Sequence, residues 1–140
     1  MTTSGSLELL SVEGTGLRIE ARFASGRTTL FDSGPEAAAP SPVEHLLASL
    51  AACEAMDVIS ILRKKQLDVT GYSIEASAER AEKHPRRLLA VTLVHRVTGR
   101  GVPEAAVAEA VRLSEEKYCS VHHTLDPAMP ITSRIEVREG

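Results

Sequence analysis

The chain has 140 residues, of which 43% are hydrophobic and 25% charged, so it can fold around one core and is too apolar to be intrinsically disordered. Its formal net charge of -3 and its aromatic content of 3% argue against a nucleic-acid-binding protein, which needs basic surfaces and stacking platforms. We expect a single domain spanning residues 1–140. The first residues lack the basic and apolar regions of a secretory signal, which favours a cytoplasmic protein.

The first third of the chain has the pattern of short β-strands. Three apolar runs, at residues 7–12, 17–23 and 28–31, are separated by glycine-containing segments. Gly26 in the second connection predicts a hairpin. Residues 33–40 contain two prolines and no clear period, and they predict a loop.

A long helix is predicted from Ser41 to about residue 65. Ser41 at the N-cap, Pro42 at the first helical position and Glu44 three residues after the cap form a capping box. The middle of this helix is apolar nearly all round, which predicts burial on more than one face, by a sheet or by a partner subunit. Glu54 and Asp57 interrupt the apolar run, so we expect a buried helix and no membrane span.

The second half of the chain alternates between strand and helix patterns. Residues 72–79 and 88–97 predict a β-hairpin, and Pro103 opens a second amphipathic helix that ends near Cys119. Residues 131–137 alternate as a closing strand. The order of these elements predicts an α+β fold.

The two cysteines are separated too widely for CxxC chemistry. In a reducing cytoplasm Cys53 and Cys119 are expected to be free, redox-active or metal-bound. On an ideal helix Cys53 shares its side with Asp57 and Ser60, a mixed face that fits either a small buried hydrophobe or a reactive thiol. The spacing leaves both interpretations open.

Other polar residues fit structural roles as well as functional ones. Glu44 suits the capping box, and it lies half a turn out of phase with Cys53 on a straight helix. The two cysteines with His45, His122 and His123 could form a zinc site, although no paired ligand motif is present. A Cys–His catalytic dyad also has no local signature here.

Two segments carry a resemblance to a known family. Residues 40–53 read PSPVEHLLASLAAC, residues 116–121 read EKYCSV, and together they resemble the OsmC/Ohr family. The segments 58–62 and 114–119 look most like its YhfA-like branch. The resemblance implies an intertwined homodimer with antiparallel sheets around two long helices, the central helix being buried between the subunits.

The resemblance also implies a chemistry for the cysteines. It identifies Cys53 as the peroxidatic nucleophile, Cys119 as the resolving cysteine, and Glu44 as the carboxylate that orients an arginine beside the thiol. Such a protein reduces organic hydroperoxides, is recycled by an external dithiol, and needs neither a metal nor a bound cofactor.

The arginine is the point at which the sequence departs from the family pattern. Arg18, Arg22 and Arg27 lie in the right region, and Arg18 ranks first because it follows the glycine-rich segment directly. An alternative is a non-enzymatic dimer of the same fold that acts as a redox sensor or binds a small molecule.

Overall fold

The computed structural model describes residues 1–140, which divide into two compact units, Met1–Leu46 and Leu47–Gly140. The strands are β1 (Gly5–Leu9), β2 (Ile19–Phe23), β3 (Thr28–Phe31), β4 (Asp68–Arg80), β5 (Leu88–Arg100) and β6 (Ile131–Glu139). The helices are α1 (Pro42–Lys64), α2 (Glu104–Leu113) and α3 (Ser120–Thr124), and a π-helical turn (Ser114–Tyr118) follows α2. The α+β class is therefore confirmed.

The first unit contains an antiparallel sheet in the order β1-β2-β3. The predicted hairpin is confirmed at the β2–β3 connection, where Gly26 has a φ of 84°. This left-handed conformation favours glycine, which has no Cβ to clash with the backbone. The strands themselves are shorter than the first two apolar runs indicated.

The start of α1 confirms the predicted capping box. The Ser41 N–H donates to Glu44 Oε1 at 3.1 Å, and the Glu44 N–H donates to Ser41 Oγ at 3.2 Å. Two backbone donors that the helix leaves unpaired are thus satisfied by side chains.

The second unit contains a sheet in the order β4-β5-β6. The predicted hairpin is confirmed, since β4 pairs antiparallel with β5. The expectation of purely antiparallel sheets is wrong for β6, which pairs parallel with β5. The two helices and the π-helical turn lie between these strands, so the chain crosses back over the sheet before β6 begins, as a parallel connection requires.

The core of the second unit lies between this sheet and the helices. Strand β5 is central, and its side chains alternate, so that Val91, Leu93, His95 and Val97 are all buried. Helix α1 contributes a buried face that includes Leu50, Val58 and Leu62. By length and composition α1 could also span a membrane, but this buried face is what a core helix requires.

Candidate functional site

The two cysteines come together in the second unit although 65 residues separate them in the chain. Cys53 Sγ, Cys119 Sγ and a carboxylate oxygen of Asp57 all lie within 4.8 Å of one another. Both cysteines are free thiols, Cys119 completely buried and Cys53 partly exposed. A disulfide needs the sulfurs to approach to about 2.05 Å, so the two side chains must move towards each other before the pair is bridged.

Local structure places each thiol. Cys53 lies on α1, where its neighbour Leu50 belongs to the same buried cluster as Leu93 of β5. Cys119 follows the π-helical turn, and its N–H donates to the Ser114 carbonyl at 2.8 Å. Such turns are rare and recur at functional sites, because the extra residue redirects the side chains that follow.

The Cys119 thiol has a strongly perturbed environment. Burial raises its pKa to about 12, and the neighbouring Cys53 side chain contributes in the same direction. The His122 N–H, which donates to Cys119 Sγ at 3.3 Å, opposes this rise. Cys119 therefore remains a thiol at neutral pH unless a nearby group accepts its proton.

Asp57 is held in place beside the thiols. It lies one helical turn after Cys53, and its Oδ2 accepts a hydrogen bond from Ser114 Oγ at 2.8 Å. The helical spacing predicted a shared side for Cys53 and Asp57, and the distance between them confirms it. The group formed by these two residues and Cys119 includes no histidine, unlike the zinc site considered from the sequence.

Next to the thiols lies a series of buried polar side chains, which we call the polar network. Glu54 and His95 are completely buried, and Glu54 Oε2 faces His95 Nε2 at 3.8 Å, with neither atom hydrogen-bonded. Glu54 Oε1 lies 3.1 Å from His122 Nδ1, and His95 Nδ1 is hydrogen-bonded to the Tyr72 hydroxyl. The polar network thus extends from β4 through β5 and α1 to α3.

Burial controls the charge of the polar network. It raises the pKa of the Glu54 carboxyl to about 8, with Glu115 and Asp57 adding repulsion, and it lowers the pKa of His95 to about 4. Both groups are therefore neutral at pH 7. Neutral forms are the expected result, because an unpaired buried charge costs several kcal/mol.

Sequence reasoning did not assign these buried residues to a site, although it considered His122 as a zinc ligand. A signal for His95 did exist, since it occupies the apolar face of β5 between Leu93 and Val97. Glu54 likewise interrupts the apolar face of α1 directly after Cys53. A polar residue in a core period is the pattern that could have identified both.

The other predicted site residues lie in the first unit. Glu44 caps α1, and its hydrogen bonds with Ser41 hold the pKa of its carboxyl below the usual range. Arg18 Nε lies 3.9 Å from Asp32 Oδ2, and Arg22 pairs with Glu20 at 2.9 Å. Arg27 follows Gly26 in the β2–β3 turn. The roles assigned to Glu44 and to an arginine stay predictions.

Comparison with known proteins identifies the relatives of this chain. A family model described as OsmC-like protein matches residues 34–134. Protein YhfA of Escherichia coli strain K12 is 43% identical over 122 residues, which cover 87% of this chain and 91% of YhfA.

Solved structures share the fold over the full chain. A hypothetical protein from Aquifex aeolicus VF5 has a TM-score of 0.86 at 28% identity, covering 100% of this chain and 98% of that one. The organic hydroperoxide resistance protein OhrB of Bacillus subtilis has a TM-score of 0.62 at 14% identity, covering 97% and 98% of the two chains. These findings confirm the resemblance, and the chain belongs to the OsmC-like family.

Proposed function

We propose that the protein is a thiol-dependent peroxidase that reduces organic hydroperoxides through Cys53 and Cys119. The observation that carries this proposal is the approach of a partly exposed thiol to a completely buried one, within 4.8 Å. The exposed thiol can meet a substrate, and the buried one is protected from side reactions until a partner sulfur is oxidised.

The proposed cycle has three steps. The Cys53 thiolate attacks the peroxide O–O bond, giving a sulfenic acid on Cys53 and, after proton uptake, an alcohol. Cys119 then attacks the Cys53 sulfur, which forms the disulfide and releases water. An external dithiol reduces the disulfide and restores both thiols.

A cleft that includes Asp57 suits an organic substrate. It has a volume of about 220 Å³ and is lined by the polar side chains of Asp57, Ser60 and Lys64 and by the apolar groups of Ile61, Leu113 and Tyr118. An alkyl or aryl group would bury apolar surface there, whereas hydrogen peroxide offers none. We propose that this contact favours organic hydroperoxides.

The family resemblance supplies the proposed roles of the remaining residues. Glu44 would orient an arginine, Arg18 in the first instance, whose positive charge would stabilise the attacking sulfur of Cys53 and the departing oxygen. The redox cycle needs a thiol reductant, which agrees with a cytoplasmic location. No step requires a metal or a bound cofactor.

We also propose that the protein forms a homodimer. The first unit exposes several large apolar side chains, among them Leu7, Leu9, Val12, Leu17 and Phe23, and Met56 of α1 is 67% exposed. Exposed apolar surface of this kind is usually covered by a partner, and the resemblance indicates a second copy. Sedimentation equilibrium tests this proposal, and Met56→Lys should shift the equilibrium towards the monomer if α1 is shared.

The test of the peroxidase is stopped-flow consumption of cumene hydroperoxide by the reduced protein with a dithiol reductant. Wild type should turn over, Cys53→Ser should be inactive, and Cys119→Ser should lose the intramolecular disulfide. A loss of two free thiols per chain without turnover would instead favour a redox sensor. Consumption that neither substitution changes would rule out the proposed chemistry.

A further inference from the structure

The proposed cycle leaves the polar network without a role, although it consists of four side chains in contact, those of Tyr72, His95, Glu54 and His122. Buried ionisable groups are uncommon, and here Glu54 Oε2 and His95 Nε2 are also left without hydrogen bonds. The polar network ends at His122, three residues after the resolving cysteine. Its position therefore raises the question of what it does for Cys119.

The hydrogen positions in the polar network follow from the contacts between its side chains. Burial keeps His95 neutral, so its ring carries one hydrogen, and burial also raises the pKa of Tyr72, which keeps its hydroxyl protonated. The Tyr72 hydroxyl has no other hydrogen-bond partner, so its hydrogen is satisfied only if it donates to His95 Nδ1. This assignment leaves the ring hydrogen of His95 on Nε2, facing Glu54 Oε2.

Glu54 Oε2 consequently faces a donor, and the proton that Glu54 gains or loses belongs on Oε1. Oε1 is the oxygen that lies 3.1 Å from His122 Nδ1. When Glu54 is ionised, His122 Nδ1–H donates to it and His122 Nε2 has a free lone pair. When Glu54 is neutral, it donates to Nδ1, and the ring hydrogen moves to Nε2.

His122 is well placed with respect to Cys119. Cys119 is the N-cap of α3, and the His122 N–H donates to its sulfur at 3.3 Å. His122 is the N3 residue of α3, the position whose side chain reaches back towards the N-cap residue in a capping box. The His122 side chain is 24% exposed, so its ring lies between the buried Glu54 carboxyl and the surface.

We propose that His122 accepts the thiol proton of Cys119 as Cys119 attacks the Cys53 sulfenic acid, and that Glu54 is the positioning residue that holds His122 in the accepting tautomer. This inference rests on the proposed peroxidase cycle. The S–S bond forms as the S–O bond breaks, and the Cys119 sulfur is oxidised while the Cys53 sulfur is reduced. The proton passes from the thiol to His122 and then to the departing hydroxide, which leaves as water.

The proposal has a defined pH dependence. Six ionisable groups face Glu54: Tyr72 of β4, His95 of β5, Glu115 of the π-helical turn, Cys119 at the N-cap of α3, His122 of α3, and Asp57 of α1. Burial and the two carboxylates keep Glu54 neutral until the pH reaches about 8. The resolving step should therefore accelerate as the pH rises through about 8.

The experiment is single-turnover oxidation of the reduced protein by cumene hydroperoxide across this pH range. Sulfenic acid formation should depend on peroxide concentration, and disulfide formation should be a later phase that does not. His122→Gln should slow the later phase about a hundredfold, the lower end of general acid–base catalysis, and leave the first unchanged. Glu54→Gln should abolish the acceleration near pH 8, and His123→Gln, at an exposed neighbouring position, serves as the control.

Failure of this inference can be told apart from failure of the peroxidase. A later phase with wild-type rate and pH profile in both His122→Gln and Glu54→Gln would overturn the proton relay. If no peroxide reaction occurs, the same resolution can be started with oxidised glutathione, which places a mixed disulfide on Cys53. Resolution by Cys119 should then show the same dependence on His122, and its absence would again refute the proposal.

Discussion

Replacement of Glu54 by glutamine should change how the stability of the protein depends on pH. The pKa of Glu54 is about 8 in the folded protein, compared with an ordinary value of 4.5. Between these values the folded state holds a proton that the unfolded state releases, so the free energy of unfolding falls as the pH rises. Glutamine resembles the neutral acid in shape and cannot ionise.

The magnitude follows from the two pKa values. At 1.36 kcal/mol per pKa unit, the raised pKa of Glu54 lowers the free energy of unfolding by about 5 kcal/mol as the pH rises from below 4.5 to above about 8. His95 acts in the opposite direction below pH 6.5, because its pKa is lowered from 6.5 to about 4 and the folded state resists its protonation. Between pH 6.5 and about 8 His95 no longer opposes Glu54. Over this range the ionisation of Glu54 should lower the free energy of unfolding by about 2 kcal/mol.

The assay is urea unfolding of reduced protein at fixed concentration, at several pH values across this window. The stability of Glu54→Gln minus that of wild type should increase by about 2 kcal/mol from pH 6.5 to about 8. Glu82→Gln, which removes a charge at an exposed position, should show no such trend. A difference that stays constant with pH would show that Glu54 is not neutral in the folded protein and would refute the raised pKa.

Three further substitutions test the fold and the site. Ser41→Ala should lower the free energy of unfolding by about 1 kcal/mol, because it removes the side chain that caps α1, and a urea titration against wild type would show no change if the cap is unimportant. Leu93→Ala should cost about 2–5 kcal/mol, since Leu93 is completely buried, and a smaller loss in the same titration would contradict the packing described for β5. Cys119→Ser should leave a persistent sulfenic acid on Cys53 after peroxide treatment, detectable as a dimedone adduct by mass spectrometry, and wild type treated identically should show little adduct.

Much of the local structure could be predicted from the sequence. The capping box at Ser41 and Glu44 involves residues only three positions apart, so the pattern and the structure that it encodes are both local. The alternation in β4 and β5 predicted the hairpin for the same reason. The strand ends were less accurate, because β4 begins at Asp68 and β5 extends to Arg100, beyond the apolar alternation.

The sequence by itself determined the main strands and the two longer helices, the family, and the two cysteines as the candidate redox pair. Only the tertiary structure decided that their sulfurs approach each other, that β6 runs parallel to β5, and that Glu54 and His122 lie beside the thiols. The physical reason is distance along the chain. A contact between Cys53 and Cys119, or between Glu54 and His95, depends on how α1 packs on a sheet assembled from segments far apart in sequence, and no local pattern records that packing.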